Sequence, residues 1–157
     1  MTALRAVVFD LDDTLYPERD YVLSGFRAVA EWCSRTRNEA SNGLFEELRA
    51  MFAAGVRGDT FDRLCAKHGW SARELVPGML EVYRGHQPSI GPFPEVGTLL
   101  RDLRPHFGLG LLTDGRAEQQ RRKIEALGLA DAFRVAVCTD ELSPPRAKPS
   151  PAGLLEV

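Results

Sequence analysis

Three carboxylates crowd into one tetrapeptide, Asp10-Leu11-Asp12-Asp13, directly after the apolar run Ala6-Val7-Val8-Phe9. Carboxylates this close repel one another in a pocket of low dielectric, so a strand end that gathers them calls for a cation. Mg2+ is the hard-oxygen choice, because it keeps waters and takes one or two carboxylates plus a phosphate oxygen. A carboxylate can also be a nucleophile, forming an aspartyl-phosphate intermediate. A second carboxyl two residues away can then protonate a leaving oxygen and later activate water. Two further apolar runs end in residues of matching chemistry. Leu109-Gly110-Leu111-Leu112 is followed by Thr113, Asp114 and Gly115, and the run from Phe133 to Cys138 by Thr139, Asp140 and, further on, Lys148. Carboxylates, a hydroxyl, backbone N–H groups and an ammonium gathered at one edge would bind a phosphate and a divalent cation together.

The elements that must position these groups are readable from the apolar spacing. The run 6–9 reads as a strand buried on both faces, as in a parallel sheet. The runs 109–112 and 133–138 read as two more strands. Between them, Glu118 to Leu127 has a helical period that places Ile124 and Leu127 inward, and Gly128 supplies the stop. Val96 to Leu103 is another helix, entered after Pro94 and ended before Pro105. Strand and helix in alternation predict a Rossmann-like α/β core with a parallel sheet, whose ligands bind outside the carboxyl ends of the strands.

Residues 15 to about 87 break the alternation with helical patterns alone, far beyond an ordinary connection length. Tyr21 to Trp32 and Leu44 to Phe52 repeat apolar residues at helical spacing. Asp59 is placed to cap a helix from Thr60 to His68, ended by Gly69. Ser71-Ala72-Arg73-Glu74 has the form of a capping box, and Pro77 predicts a break or kink beyond it. The segment 15–87 thus reads as a helical subdomain inserted into an α/β core of residues 1–14 and 88–157.

Val8-Phe9-Asp10-Leu11-Asp12-Asp13-Thr14-Leu15 resembles the first motif of the haloacid dehalogenase superfamily, a hydrophobic strand followed by D-x-D-x-T. Leu111-Leu112-Thr113-Asp114-Gly115 is similar to its second motif and Lys148-Pro149-Ser150-Pro151 to its third. The insertion resembles the small helical cap of that family, which would close over the site and select the substrate. The resemblance implies a magnesium-dependent phosphomonoester hydrolase acting on a small phosphorylated metabolite. It implies Asp10 as nucleophile and metal ligand, and Asp12 as general acid/base with its backbone carbonyl on the metal. Thr113 would hold the transferring phosphoryl group, helped by the backbone N–H groups of Asp114 and Gly115, and Lys148 would neutralise charge on Asp10 and phosphate. Asp12 points to phosphate esters, because members that cleave carbon–halogen bonds need no acid there.

One part of the family pattern is missing. An acidic pair on a further strand normally completes the metal site, and only Glu156 follows Lys148. The expectation is a piece of a longer protein, a site completed by a partner, or a scaffold domain without turnover. Asp114 and Asp140 are the candidates to replace the missing ligand. A phospho-acceptor signalling domain also places Asp, Thr and Lys at strand ends, but the large insertion argues against it.

Composition bounds the rest. The 157 residues are 44% hydrophobic and 27% charged, with 20 basic against 22 acidic side chains and a net charge of −2. That is ordinary globular usage with no basic excess for nucleic acid or an anionic membrane. No signal peptide or long apolar span is visible, and Cys33, Cys65 and Cys138 read as reduced thiols of a cytoplasmic protein. A three-stranded sheet leaves an apolar edge open to self-association. Asp13 reads as a local hydrogen-bonding residue, Trp32 and Trp70 as helix packing, and Arg121-Arg122-Lys123 as a solvated helix face. Residues 143–151 form a proline-rich loop.

Overall fold

A computed structural model of the protein describes residues 5–142 and 146–157; Ser143, Pro144 and Pro145 of the proline-rich loop lie outside them. Three strands, β1 (Ala6–Phe9), β2 (Gly108–Thr113) and β3 (Val135–Cys138), form one parallel sheet in the order β1-β2-β3. Helices α1 (Glu18–Arg37), α2 (Ser41–Ala53), α3 (Thr60–His68) and α4 (Ala72–Gly85) follow β1 in turn. Helix α5 (Val96–Leu103) precedes β2, and α6 (Ala117–Ala126) connects β2 to β3. The register pairs Phe9 with Leu111 and Thr113 with Cys138, so the carboxyl ends of the strands share one edge. The fold is α/β, as the alternation of runs predicts.

The chain divides into two compact units. One comprises residues 1–21 and 87–157. Its sheet is best covered at β2, where Leu109, Leu111, Leu112 and Thr113 are buried. The expectation that β1 is buried on both faces is corrected: Ala6 and Val8 are exposed, Val8 at 37%. β1 is an edge strand paired on one side only, whereas β2 is flanked on both.

The other unit, residues 22–86, is helical. Its core gathers Phe26, Val29, Cys33, Leu44, Leu48, Leu64, Cys65 and Met79, with Trp32 and Trp70 packed against it. Edge-on ring pairs of Phe26 with Phe52 and Phe61 fill the centre. Gly69 ends α3 in the left-handed conformation expected of a helix stop.

Three local expectations in this unit differ. Asp59 sits at the start of α3, but its carboxylate pairs with Arg63 at 2.8 Å and accepts no helix N–H. Ser71 opens α4 without a side-chain cap bond. Pro77 neither breaks nor ends α4, which runs from Ala72 to Gly85 through it. The lost backbone bond is offset by burial of Leu75 and Met79 on either side of the proline.

Candidate active site

Each strand of the sheet ends where a polar residue begins. Asp10 follows β1 directly, Thr113 closes β2 with Asp114 next, and Thr139 follows β3. Parallel strands bring these ends to one edge, the usual ligand edge of such sheets. Lys148 reaches the same edge from the segment after β3. Its ammonium donates to Asp10 Oδ1 and makes a longer contact of 3.4 Å to the Leu112 carbonyl. The second oxygen of Asp10 has no hydrogen bond to the described residues.

Asp114 ties the loops together. Its carboxylate accepts from Thr139 Oγ1 at 2.7 Å and from the Lys148 backbone N–H at 3.2 Å to each oxygen. The end of β2, the turn after β3 and the Lys148 segment therefore meet on one side chain. Asp140 accepts from the Ala117 N–H at 3.3 Å, at the start of α6. Both carboxylates expected as replacement metal ligands are thus engaged in holding loops and a helix start. Thr113 is buried, 1% exposed, and its hydroxyl lies 3.5 Å from the Asp114 carbonyl, too long for a strong bond.

Asp12 faces a different set of partners. Oδ1 accepts from Tyr16 OH at 2.5 Å and from Lys123 Nζ at 2.8 Å, and Oδ2 accepts from Gln120 Nε2 at 3.0 Å. Burial raises the Asp12 pKa, but the bonds from Lys123, Tyr16 and Gln120 and the Lys123 charge outweigh it and hold the carboxyl below its ordinary value. Burial and the Asp12 carboxylate together push the Tyr16 hydroxyl far upward, so it stays a donor. The Gln120 amide also reaches the Asp114 carbonyl, linking the two clusters. Gly115 makes room for it: φ is +105°, and a Cβ there would stand 3.1 Å from Gln120 Nε2. Asp13 accepts from the Glu18 N–H at 2.8 Å, beside the start of α1, as a local hydrogen-bonding residue would.

Tyr16, Gln120 and Lys123 are absent from the sequence reading of the site, which places Thr139 at the strand edge without a role. The placement of Lys123 on a solvated face is corrected: it is 5% exposed and lies 4.3 Å over the Tyr21 ring. The buried positions Gln120, Lys123, Ile124 and Leu127 follow the i, i+3, i+4, i+7 stripe of a helix. That stripe is the signal that finds them once polarity is set aside.

Among the described residues, no three or more His, Cys, Asp or Glu side chains group as a metal-ligand set. The Asp10 carboxylate at this edge is nonetheless an oxygen donor of the kind that suits Mg2+, which keeps much of its water shell.

This geometry belongs to a known class. A family model for haloacid dehalogenase-like hydrolases matches residues 4–157, and the chain belongs to that family. It is 29% identical over 162 residues to the glyceraldehyde 3-phosphate phosphatase of Methanopyrus kandleri, covering 98% of this chain and 68% of that protein. Among solved structures, it is similar to the 2-haloacid dehalogenase of Pseudomonas syringae pv. Tomato DC3000, with a TM-score of 0.59 and 26% identity, over 98% of this chain and 71% of that one. The HAD-hydrolase YfnB of Bacillus subtilis, solved bound to magnesium, shares the fold at a TM-score of 0.61 and 16% identity, over 90% of this chain and 66% of that one. The chain thus spans 66% to 71% of the lengths of these three proteins. Among the described residues no helix is long and apolar enough to cross a membrane.

Proposed function

We propose that the protein hydrolyses phosphate monoesters of small metabolites, of the sugar-phosphate class, through a phosphoryl group carried on Asp10. The observation that carries this reading is the Lys148 ammonium seated on the Asp10 carboxylate at the strand ends. A lone carboxylate approaching a phosphate dianion is repelled, and an ammonium between them offsets both charges. The similarity to a glyceraldehyde 3-phosphate phosphatase supports the substrate class.

The proposed chemistry balances in two steps. An Asp10 carboxylate oxygen attacks phosphorus, and the ester P–O bond breaks with its electron pair leaving on the alcohol oxygen. That oxygen takes a proton from Asp12. Water then attacks the phosphorus of the aspartyl phosphate, giving its proton to Asp12 and freeing Asp10 and inorganic phosphate. Three donors on Asp12 favour its ionised form, the form the second step needs; the proton for the first step is brought by the monoanion of the bound ester and passes through Asp12 to the leaving oxygen. Thr113 and the backbone N–H groups of Asp114 and Gly115 would position the phosphoryl oxygens. Asp10 and the Asp12 carbonyl would hold Mg2+, which when bound supplies further charge neutralisation at those oxygens.

Asp12 also separates this reading from dehalogenation, since a halide leaves without a proton. A second reading is favoured by the short donor set: a scaffold domain that keeps the anion site without turnover. Hydrolysis of p-nitrophenyl phosphate with Mg2+, abolished in Asp10→Asn, supports the phosphatase. No hydrolysis above background by either protein would leave the scaffold.

A further inference from the structure

We propose that Lys123 is a positioning residue of this site: with Gln120 and Tyr16 it clamps the Asp12 carboxylate in one orientation, and so governs hydrolysis of the covalent intermediate. The inference rests on the phosphatase reading and adds residues to it. Lys123 and Gln120 lie three residues apart on α6 and therefore share a face. Both turn that face to Asp12, and they take different oxygens, Oδ1 for Lys123 at 2.8 Å and Oδ2 for Gln120 at 3.0 Å. Tyr16, fully buried and four residues along the chain from Asp12, adds a third donor to the carboxylate, on Oδ1 at 2.5 Å. A carboxylate bound on both oxygens by donors from two elements has little freedom to rotate.

The lysine itself is held with equal care. It is 5% exposed, with its ammonium over the Tyr21 ring at 4.3 Å, and the Tyr21 hydroxyl accepts from Gln119 Nε2 at 3.0 Å. Stability alone does not call for such an arrangement, because a buried ion pair is commonly no better than packed apolar side chains of the same volume. Asp12 can take a proton from water only if its oxygen stands in line with the water attacking phosphorus. A misplacement of about 1 Å at such a group costs on the order of 100-fold in rate. Initial binding of the phosphate ester depends on Lys148 and the strand-end N–H groups instead, and a p-nitrophenolate leaving group needs no proton, so kcat/KM for that substrate is insulated from the clamp.

The test follows the phosphoenzyme. Wild type, Lys123→Met, Lys123→Arg and Tyr16→Phe are mixed with p-nitrophenyl phosphate and Mg2+, and the fraction of protein phosphorylated on aspartate is read by acid quench. The expected result for Lys123→Met is a kcat about 100-fold lower, a KM lowered with it so that kcat/KM is unchanged, and a phosphoenzyme that accumulates and decays slowly. Lys123→Arg restores part of the decay rate. Tyr16→Phe, which keeps the buried ring and removes one donor, shows the same defect to a smaller degree and covers the case in which Lys123→Met does not fold. A decay rate in Lys123→Met or Tyr16→Phe equal to wild type overturns the inference while leaving the phosphatase reading intact. No phosphoenzyme and no turnover in wild type overturns both.

Discussion

Lys123 and Asp12 are 111 positions apart in the chain, yet the ammonium of one stands 2.8 Å from the carboxylate of the other. The connection between β2 and β3 makes this meeting possible. It returns the chain across the sheet, and the helix within it carries Gln120 and Lys123 to the end of β1. Asp12, in the turn after β1, and Gln120 and Lys123, on the helix after β2, therefore meet at one sheet edge.

Asp114 holds the Lys148 segment through the Lys148 backbone N–H. Asp114→Ala removes the acceptor shared by Thr139 and the Lys148 backbone, so the Lys148 segment loses its anchor. Turnover of p-nitrophenyl phosphate is expected to fall by about 10- to 100-fold. Asp114→Asn keeps an oxygen acceptor at the same place, and its rate is expected within a few-fold of wild type. Steady-state kinetics of the two variants checks the pair.

The helical unit stands on its own apolar core. Leu48 and Met79 are fully buried in it, each 0% exposed. Leu48→Ala and Met79→Ala are each expected to destabilise by about 2–5 kcal/mol through lost burial and the cavity left behind. Urea unfolding followed by circular dichroism measures the loss.

Glu47 provides a pH-dependent contribution. Burial pulls its pKa upward, but the hydrogen bonds and charges of His68 at 2.9 Å and Lys67 at 3.2 Å outweigh this and hold the carboxyl below its usual value. A depressed carboxylate stabilises the fold above the unfolded-state pKa of about 4.3, and the contribution disappears as pH falls through the folded value. Glu47→Gln is therefore expected to be less stable than wild type near neutrality, by at most about 1 kcal/mol, with the gap closing under acid conditions. Urea midpoints measured from neutral pH down to pH 3 or so give the comparison.

The three cysteines are free and buried. Burial pushes the Cys33 thiol up to about 11, and it raises Cys65 and Cys138 as well. Thiolate is the reactive form, so native protein is expected to react slowly with Ellman's reagent at pH 8. Unfolding in guanidinium should release three fast thiols, counted from the absorbance.

Much of this architecture is legible before any coordinates. The β-branched run ending at Asp10 and the run ending at Thr113 announce strand ends, and apolar spacing together with caps, stops and prolines announces α1 to α6. The α3 boundaries, Thr60 and His68, follow from an acid before the helix and Gly69 after it. Legibility fails where polar side chains are buried. Lys123 lies in a basic run, and only the helical stripe shared with Ile124 and Leu127 betrays its inward position. Tyr16 reads as one more aromatic, because its role depends on a hydroxyl meeting Asp12 across a turn. Pro77 misleads for a related reason, since a local penalty yields to packing that local rules do not weigh.

The proposed phosphatase chemistry stands on Asp10 as carrier of the phosphoryl group. The most direct measurement is acid-quench trapping with 32P-labelled acetyl phosphate and Mg2+, followed by peptide mapping. The expected result is an acid-stable, hydroxylamine-labile label on the peptide containing Asp10, absent from Asp10→Asn. Turnover without a label on that peptide, or a label that persists in Asp10→Asn, is incompatible with Asp10 as the carrier.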